Sequence, residues 1–212
     1  MQYPALTYIS MFSTALPLLI GVYRWRLVSR ELRILIIYLF FGLTVEILSM
    51  WFIKSYLIDL GLIHSYILIE FIFIMSIIIC WQESSEMKRW LQVLLFLYIL
   101  FWSIAKLTFE PLNGLYSLTA SVSNVLLALC AGYTLFMVIG NRMQSLFYYR
   151  SFWILLSFIL YYAGTLILSA LQGFLIHYSR EDIFLAISIN WSLKIIFNIL
   201  FTVGFLCPQT QQ

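Results

Sequence analysis

Two carboxylates and one ammonium group stand inside runs that are otherwise apolar: Glu46, Glu70 and Lys194. An ionisable side chain at the centre of a bilayer costs about 2.5–3.5 kcal/mol on insertion scales, so its presence marks an ion path, a proton relay or a ligand site. Their depths can be compared. Glu46 lies 12 residues after Ile34, Glu70 lies 12 before Gln82, and Lys194 lies 12 before Leu206, each counted from the cytoplasmic end of its apolar run. At a helical rise of about 1.5 Å per residue, all three fall roughly 18 Å from that face, to within one turn. Acids and a base at one level can pair inside a bundle, and pairing is the cheapest way to keep such charges in lipid.

The residues around them carry helical spacing. Asn190, Lys194, Asn198 and Thr202 recur every four positions and so share one helix face, flanked by Trp191. Tyr38, Gly42, Glu46 and Ser49 repeat the pattern, as do Tyr66 and Glu70. Ser157, Tyr161, Thr165, Ser169 and Gln172 form another stripe, with Tyr162 beside it, and Ser117, Ser121, Asn124 and Ala128 a further one. The expected site is a polar pocket near mid-membrane built from Glu46, Glu70, Lys194, Asn190, Asn198, Tyr161 and Asn124. It would bind a small ligand or a proton. Each member also has a packing reading. Small-residue stripes bring helices together, and Asn124 and Asn198 can be interhelical hydrogen-bond glue or ligand contacts. Tyrosines fill cores and interfaces, and a Lys–Glu network can fix register alone.

The elements that would position these residues follow from composition. Hydrophobic residues make up 63% of the 212 positions and charged residues 10%, against about half and about a quarter in a soluble domain. Mean hydropathy is +0.98. Seven apolar runs reach the roughly 20 residues needed to cross hydrocarbon. They span 5–23, 34–55, 62–82, 90–109, 115–139, 152–175 and 184–206. The expected fold is all-α: a single bundle of seven transmembrane helices over 1–212. The first apolar run follows no basic stretch and reads as a retained helix instead of a signal peptide. Pro17 falls inside it and is expected to kink it.

Lys and Arg set the orientation. The first, third and fifth gaps hold Arg24, Arg26, Arg30, Arg33, Lys88, Arg89, Arg142 and Arg150; the other side holds Lys54, Lys106 and Arg180. The odd gaps are therefore expected in the cytoplasm, with the N-terminus outside and the C-terminus inside, in the plasma (inner) membrane. Lys54 and Lys106 lie near helix ends, where they can snorkel to water. Trp25, Trp51, Trp81 and Trp90 sit at run ends, as an aromatic belt requires. The partners expected are the bilayer and a cytoplasmic signalling protein at Arg24, Arg26, Arg30 and Arg33, whose other reading is positive-inside anchoring.

Several chemistries have no basis in the chain. There is no nucleic-acid footprint, no phosphate-binding Gly-rich loop and no nucleophile elbow, so no catalytic residue is expected. Cys80, Cys130 and Cys207 form no CxxC pair and read as reduced thiols. His64 and His177, placed in outer loops near Asp59, Glu181 and Asp182, lack zinc-ligand spacing, so no metal is expected.

Seven helices, an outer N-terminus and a lysine in the middle of the last helix resemble the outline of microbial rhodopsins. That resemblance would imply retinal on Lys194 as a Schiff base, with Glu70 as counter-ion. The motifs depart: Asn190 replaces the acid expected four residues before the lysine. The third helix reads HSYILIEFIF, without the family's Arg-aromatic-x-Asp-Trp stretch, and LSFILYYAG lacks its proline. No cofactor is therefore expected. Transporters of the three-one-three SWEET type share the helix count and orientation, but their helix prolines are missing and no internal repeat is visible. The chain also resembles small seven-helix bacterial membrane proteins with an acid in a LIEF-like run and an Asn in a terminal NILFT-like run. Some of these occur beside two-component signalling proteins. That likeness implies sensing. The alternative is a secondary transporter of a small solute or protons, and a further one a lipid-modifying membrane enzyme or chromophore-binding protein.

Overall fold

A computed structural model of the chain describes residues 5–54, 60–110, 112, 118–140, 147, 149–175 and 180–207. Asp59, Ser117, Arg142, His177 and the terminal PQTQQ lie outside the described residues. So do the side chains of Trp51, Lys54, Ser169, Gln172, Arg180, Glu181 and Asp182. The helices are α1 Ala5–Tyr23, α2 Arg30–Lys54, α3 Leu60–Trp81, α4 Ser85–Thr108, α5 Leu118–Gly140, α6 Arg150–Leu175 and α7 Arg180–Leu206. All seven are long and apolar enough to cross a membrane, and no strand occurs among the described residues. Hydrocarbon offers backbone groups no partner, so a spanning segment satisfies them within itself as a helix. The chain is an all-α, multi-pass integral membrane protein.

Several helices start ahead of their apolar runs. α2, α4, α6 and α7 begin at Arg30, Ser85, Arg150 and Arg180, two to five residues ahead of the runs at 34, 90, 152 and 184. Their first turns are polar and helical at once, because a helix continues past the hydrocarbon wherever its end is capped. At α4 the cap is visible. Ser84 holds φ −72° and ψ 126°, and its hydroxyl oxygen accepts from Met87 N at 3.4 Å, satisfying one of the orphan N–H groups of the first turn.

The helices fall into two compact units. Residues 1–28 and 124–212 form the first, and residues 29–123 the second. In the first unit α7 packs against both α1 and α6. The α6–α7 seam is aromatic. Phe158 meets Phe201 edge-on at 5.5 Å between centroids, Phe197 lies 4.1 Å from Phe201, and Tyr161 lies 4.6 Å from Phe197. Two glycines let the backbones close up: a Cβ on Gly164 would stand 2.6 Å from Leu193 Cδ1, and one on Gly204 2.8 Å from Ile154 Cγ1.

The α1–α7 seam is polar and small. The buried face of α1 is Ser10, Ser13, Thr14, Pro17 and Gly21. Pro17 lacks an N–H, so the Ser13 carbonyl loses its helical donor. Asn198 of α7 is 1% exposed and donates through Nδ2 to Ser13 Oγ at 2.8 Å and Thr14 Oγ1 at 3.1 Å. Interhelical bonds of this kind contribute about 0.6–2 kcal/mol in membranes. Asn198→Leu is therefore expected to lower the unfolding midpoint in detergent, and Ser13→Ala to add little once Asn198 is gone. Additive losses from the two changes would show that the bond carries no coupling.

In the second unit α3 packs against α2 on one side and α4 on the other. Its core is Leu35 of α2, Phe71, Ile74, Met75, Ile77 and Ile78 of α3, and Tyr98 of α4. Phe71 and Tyr98 approach to 3.8 Å between centroids. Outward-facing side chains such as Phe12, Phe40, Phe96, Phe136 and Ile167 are exposed, as lipid contact requires.

Candidate functional site

Glu70 lies about midway along α3 and is held from α2. The Tyr38 hydroxyl donates to Glu70 Oε1 at 2.6 Å, and Tyr66 Oη lies 3.3 Å from Tyr38 Oη. The antiparallel pairing explains the meeting. Tyr38 and Gly42 are four residues apart on α2, Tyr66 and Glu70 four apart on α3, so each pair forms one face. Gly42 has no side chain where Tyr66 needs room: a Cβ there would stand 3.3 Å from Tyr66 Oη. Phe41 stacks beside Tyr66 at 6.1 Å and 13°. The result is a carboxylate receiving a short phenol hydrogen bond inside an apolar span. Charge-assisted bonds of this type are roughly twice as strong as neutral ones.

Glu46 lies eight residues beyond Tyr38 on the same helix, roughly 12 Å along its axis. It is half-buried, with Oε2 enclosed. Both acids belong to the second unit, whereas Lys194, Asn190, Asn198, Tyr161 and Asn124 belong to the first. Within that unit Lys194, Tyr161 and Asn124 are half-buried, Asn190 is exposed and Asn198 is buried. Asn198 is thus interhelical glue toward α1; its Oδ1 is enclosed with no hydrogen-bond partner among the described residues.

A second polar cluster lies at the start of α3, and it corrects two expectations. His64 is not in a loop but one turn inside α3, 3% exposed. Lys106 does not snorkel to water; its side chain is 5% exposed and forms an ion pair with Glu110 Oε1. The Lys106 ammonium also lies 3.0 Å from His64 Nδ1. An ammonium only donates, so Nδ1 accepts and the ring proton sits on Nε2. The face of Trp102 lies 5.8 Å from the same ammonium, within cation–π reach. Glu110 completes the cluster: Oε2 accepts from Thr119 N and Oε1 from Thr119 Oγ1, both at 3.0 Å. Thr119 is in the first turn of α5, where N–H groups lack helical partners and the macrodipole favours an anion. The next residue chain of contacts is supplied by Tyr98, which donates to Thr119 O at 3.1 Å. His64 and Glu110 are both metal-ligand types, but the ammonium occupies the space between them.

The basic residues of the first gap also divide. Arg26, Arg30 and Arg33 are exposed. Arg24 instead donates through Nη1 to Phe205 O at 2.5 Å, and Arg150 donates through Nε to Cys207 O at 2.8 Å. Both guanidiniums therefore cap the C-terminal end of α7, where carbonyls lack helical donors and the dipole favours cations.

The chain matches no protein-family model, no curated protein and no solved structure.

Proposed function

We propose that the protein is a membrane sensor of protons or of a small ligand, with Glu70 as the responding group and a cytoplasmic partner reading the change. The observation that supports this is the 2.6 Å bond from Tyr38 to Glu70 across the α2–α3 seam. Protonation, or a ligand cation taking the carboxylate, would weaken the tie between two spanning helices. A signal needs a group whose interactions differ between two bundle states, and a bond that weakens when its carboxylate is protonated would supply that difference. Glu46 in the second unit, and Lys194, Asn190, Asn198, Tyr161 and Asn124 in the first, are the further polar groups within spans that a ligand could engage. Exposed Arg26, Arg30 and Arg33 remain the surface for the partner. The sites of these arginines support a cytoplasmic location for the first gap by the positive-inside rule.

The test is a pH titration of the intrinsic fluorescence in lipid nanodiscs. Wild type is expected to show a titration that Glu70→Gln abolishes, while Tyr38→Phe alters its midpoint. A signal indifferent to Glu70→Gln would sink the reading. The runner-up is a secondary transporter using the same carboxylate: vesicles containing the protein would then show a proton flux lost in Glu70→Gln, whereas a sensor shows none.

A further inference from the structure

The end of α7 gathers two cations and, among the described residues, no acid. Arg24 reaches it from α1 and Arg150 from the start of α6, onto carbonyls only two residues apart. The approach of α6 is built in, since Gly204 brings Ile154 and the Arg150 carbonyl, 3.5 Å from a Cβ position, against α7. Each guanidinium has five N–H donors and makes a single hydrogen bond to the described residues. No carboxylate among the described residues pairs with either. The helix end supplies about half a negative charge, so two guanidiniums leave an excess of roughly one and a half positive charges.

Cys207 reports the same field. Burial pushes its thiol up from the ordinary range, and the charges of Arg150 and Arg24 act in the opposite direction. Both guanidiniums are half-buried, so their charge is less screened than that of an exposed arginine. Each arginine has a tryptophan close by in the chain: Trp25 follows Arg24, and Trp153, whose indole N–H donates to Phe147 O at 2.9 Å, follows Arg150 by less than one turn.

We propose that Arg24 and Arg150, held at the C-terminal end of α7, form a binding site for a phosphate group. Guanidinium forks match phosphate oxygens in pairs, and their positions here are fixed in advance by the α7 carbonyls. A phosphodiester, with one negative charge, is close to the local excess, which is the chemistry of an anionic lipid headgroup. A free phosphate ion offers the same oxygens.

The experiment measures thermal stabilisation of the whole chain. One arm uses nanodiscs of phosphatidylcholine with increasing phosphatidylglycerol. The other uses sodium phosphate in non-ionic detergent, against sodium chloride at equal ionic strength. Oleate in phosphatidylcholine serves as an anionic lipid without phosphate. The expected result is saturable stabilisation by phosphatidylglycerol, with apparent affinity about tenfold or more weaker in Arg24→Gln and Arg150→Gln, each of which removes charged hydrogen bonds. Arg26→Gln, exposed at the same end, is expected to behave as wild type. Saturable stabilisation by sodium phosphate alone, with the same dependence on the two arginines, assigns the site to a free ion and supports the shared chemistry. Equal response to oleate, equal loss in Arg26→Gln, or no saturable response in either arm overturns the proposal. Should the glutamine variants fail to fold, Arg24→Lys and Arg150→Lys keep the charge and lose the fork. Affinity unchanged in both would then overturn it as well.

Discussion

Replacing Lys106 with methionine will destabilise the protein by about 3–5 kcal/mol, the range for removing one partner of a buried ion pair. The change leaves the Glu110 carboxylate enclosed with the Thr119 donors but without its cation, and His64 Nδ1 without the ammonium beside it. Methionine keeps most of the length and apolar stem of lysine, so the loss reports charge and not volume. Equilibrium unfolding in mild detergent is the measurement, with Leu107→Ala as the outward-facing control, since Leu107 is 86% exposed. The double change Lys106→Met with Glu110→Gln should recover part of the loss, because the uncompensated charge is what costs most. A Lys106→Met protein as stable as the Leu107 control would show that the pair holds nothing together.

The second large effect is expected at Gly204. Valine there places a Cβ 2.8 Å from Ile154 Cγ1, and two methyls beyond it, so α6 must move off α7. Overpacking of this kind costs about 1–3 kcal/mol. The movement also breaks the Arg150–Cys207 contact. Two readouts therefore change together: the unfolding midpoint falls, and the half-buried Cys207 thiol reacts faster with a maleimide. Ile154→Ala is expected to restore both by making room. Loss of stability without a change in thiol reactivity would mean that Gly204 does not position Arg150.

The seven spans could be read from the chain because lipid imposes a simple rule of length and apolarity, which windowed hydropathy captures. The polar first turns of α2, α4, α6 and α7 escape such a window, since a capped helix end is written in Ser84 or Glu86 and not in hydrophobicity. Glu70 was legible as a charge in the wrong solvent. Its partner Tyr38 was visible only as a member of a stripe, because the pairing depends on the register between α2 and α3. His64 and Lys106 read as water-facing because each lies near a helix end, where water is the usual partner, and their joint approach to Glu110 depends on the packing of α3 and α4. The Lys106–Glu110 spacing of four was a usable signal, and Thr119 at the next helix start was the missing acceptor's complement. Arg24 shows the limit most plainly: its partner, Phe205, is 181 residues away, and no local pattern connects them.

Glu70 and His64 share one helix, six residues and roughly 9 Å apart, yet they engage opposite neighbours. Glu70 is tied to α2 through Tyr38, and His64 to α4 through Lys106. A helix turns as a stiff rod, so a twist of α3 that loosens the first tie also drags His64 against the second. In the proposed sensor α3 would work as a crankshaft: a proton gained at Glu70 would become torque on the Lys106–Glu110 pair, whose carboxylate also holds Thr119 at the start of α5.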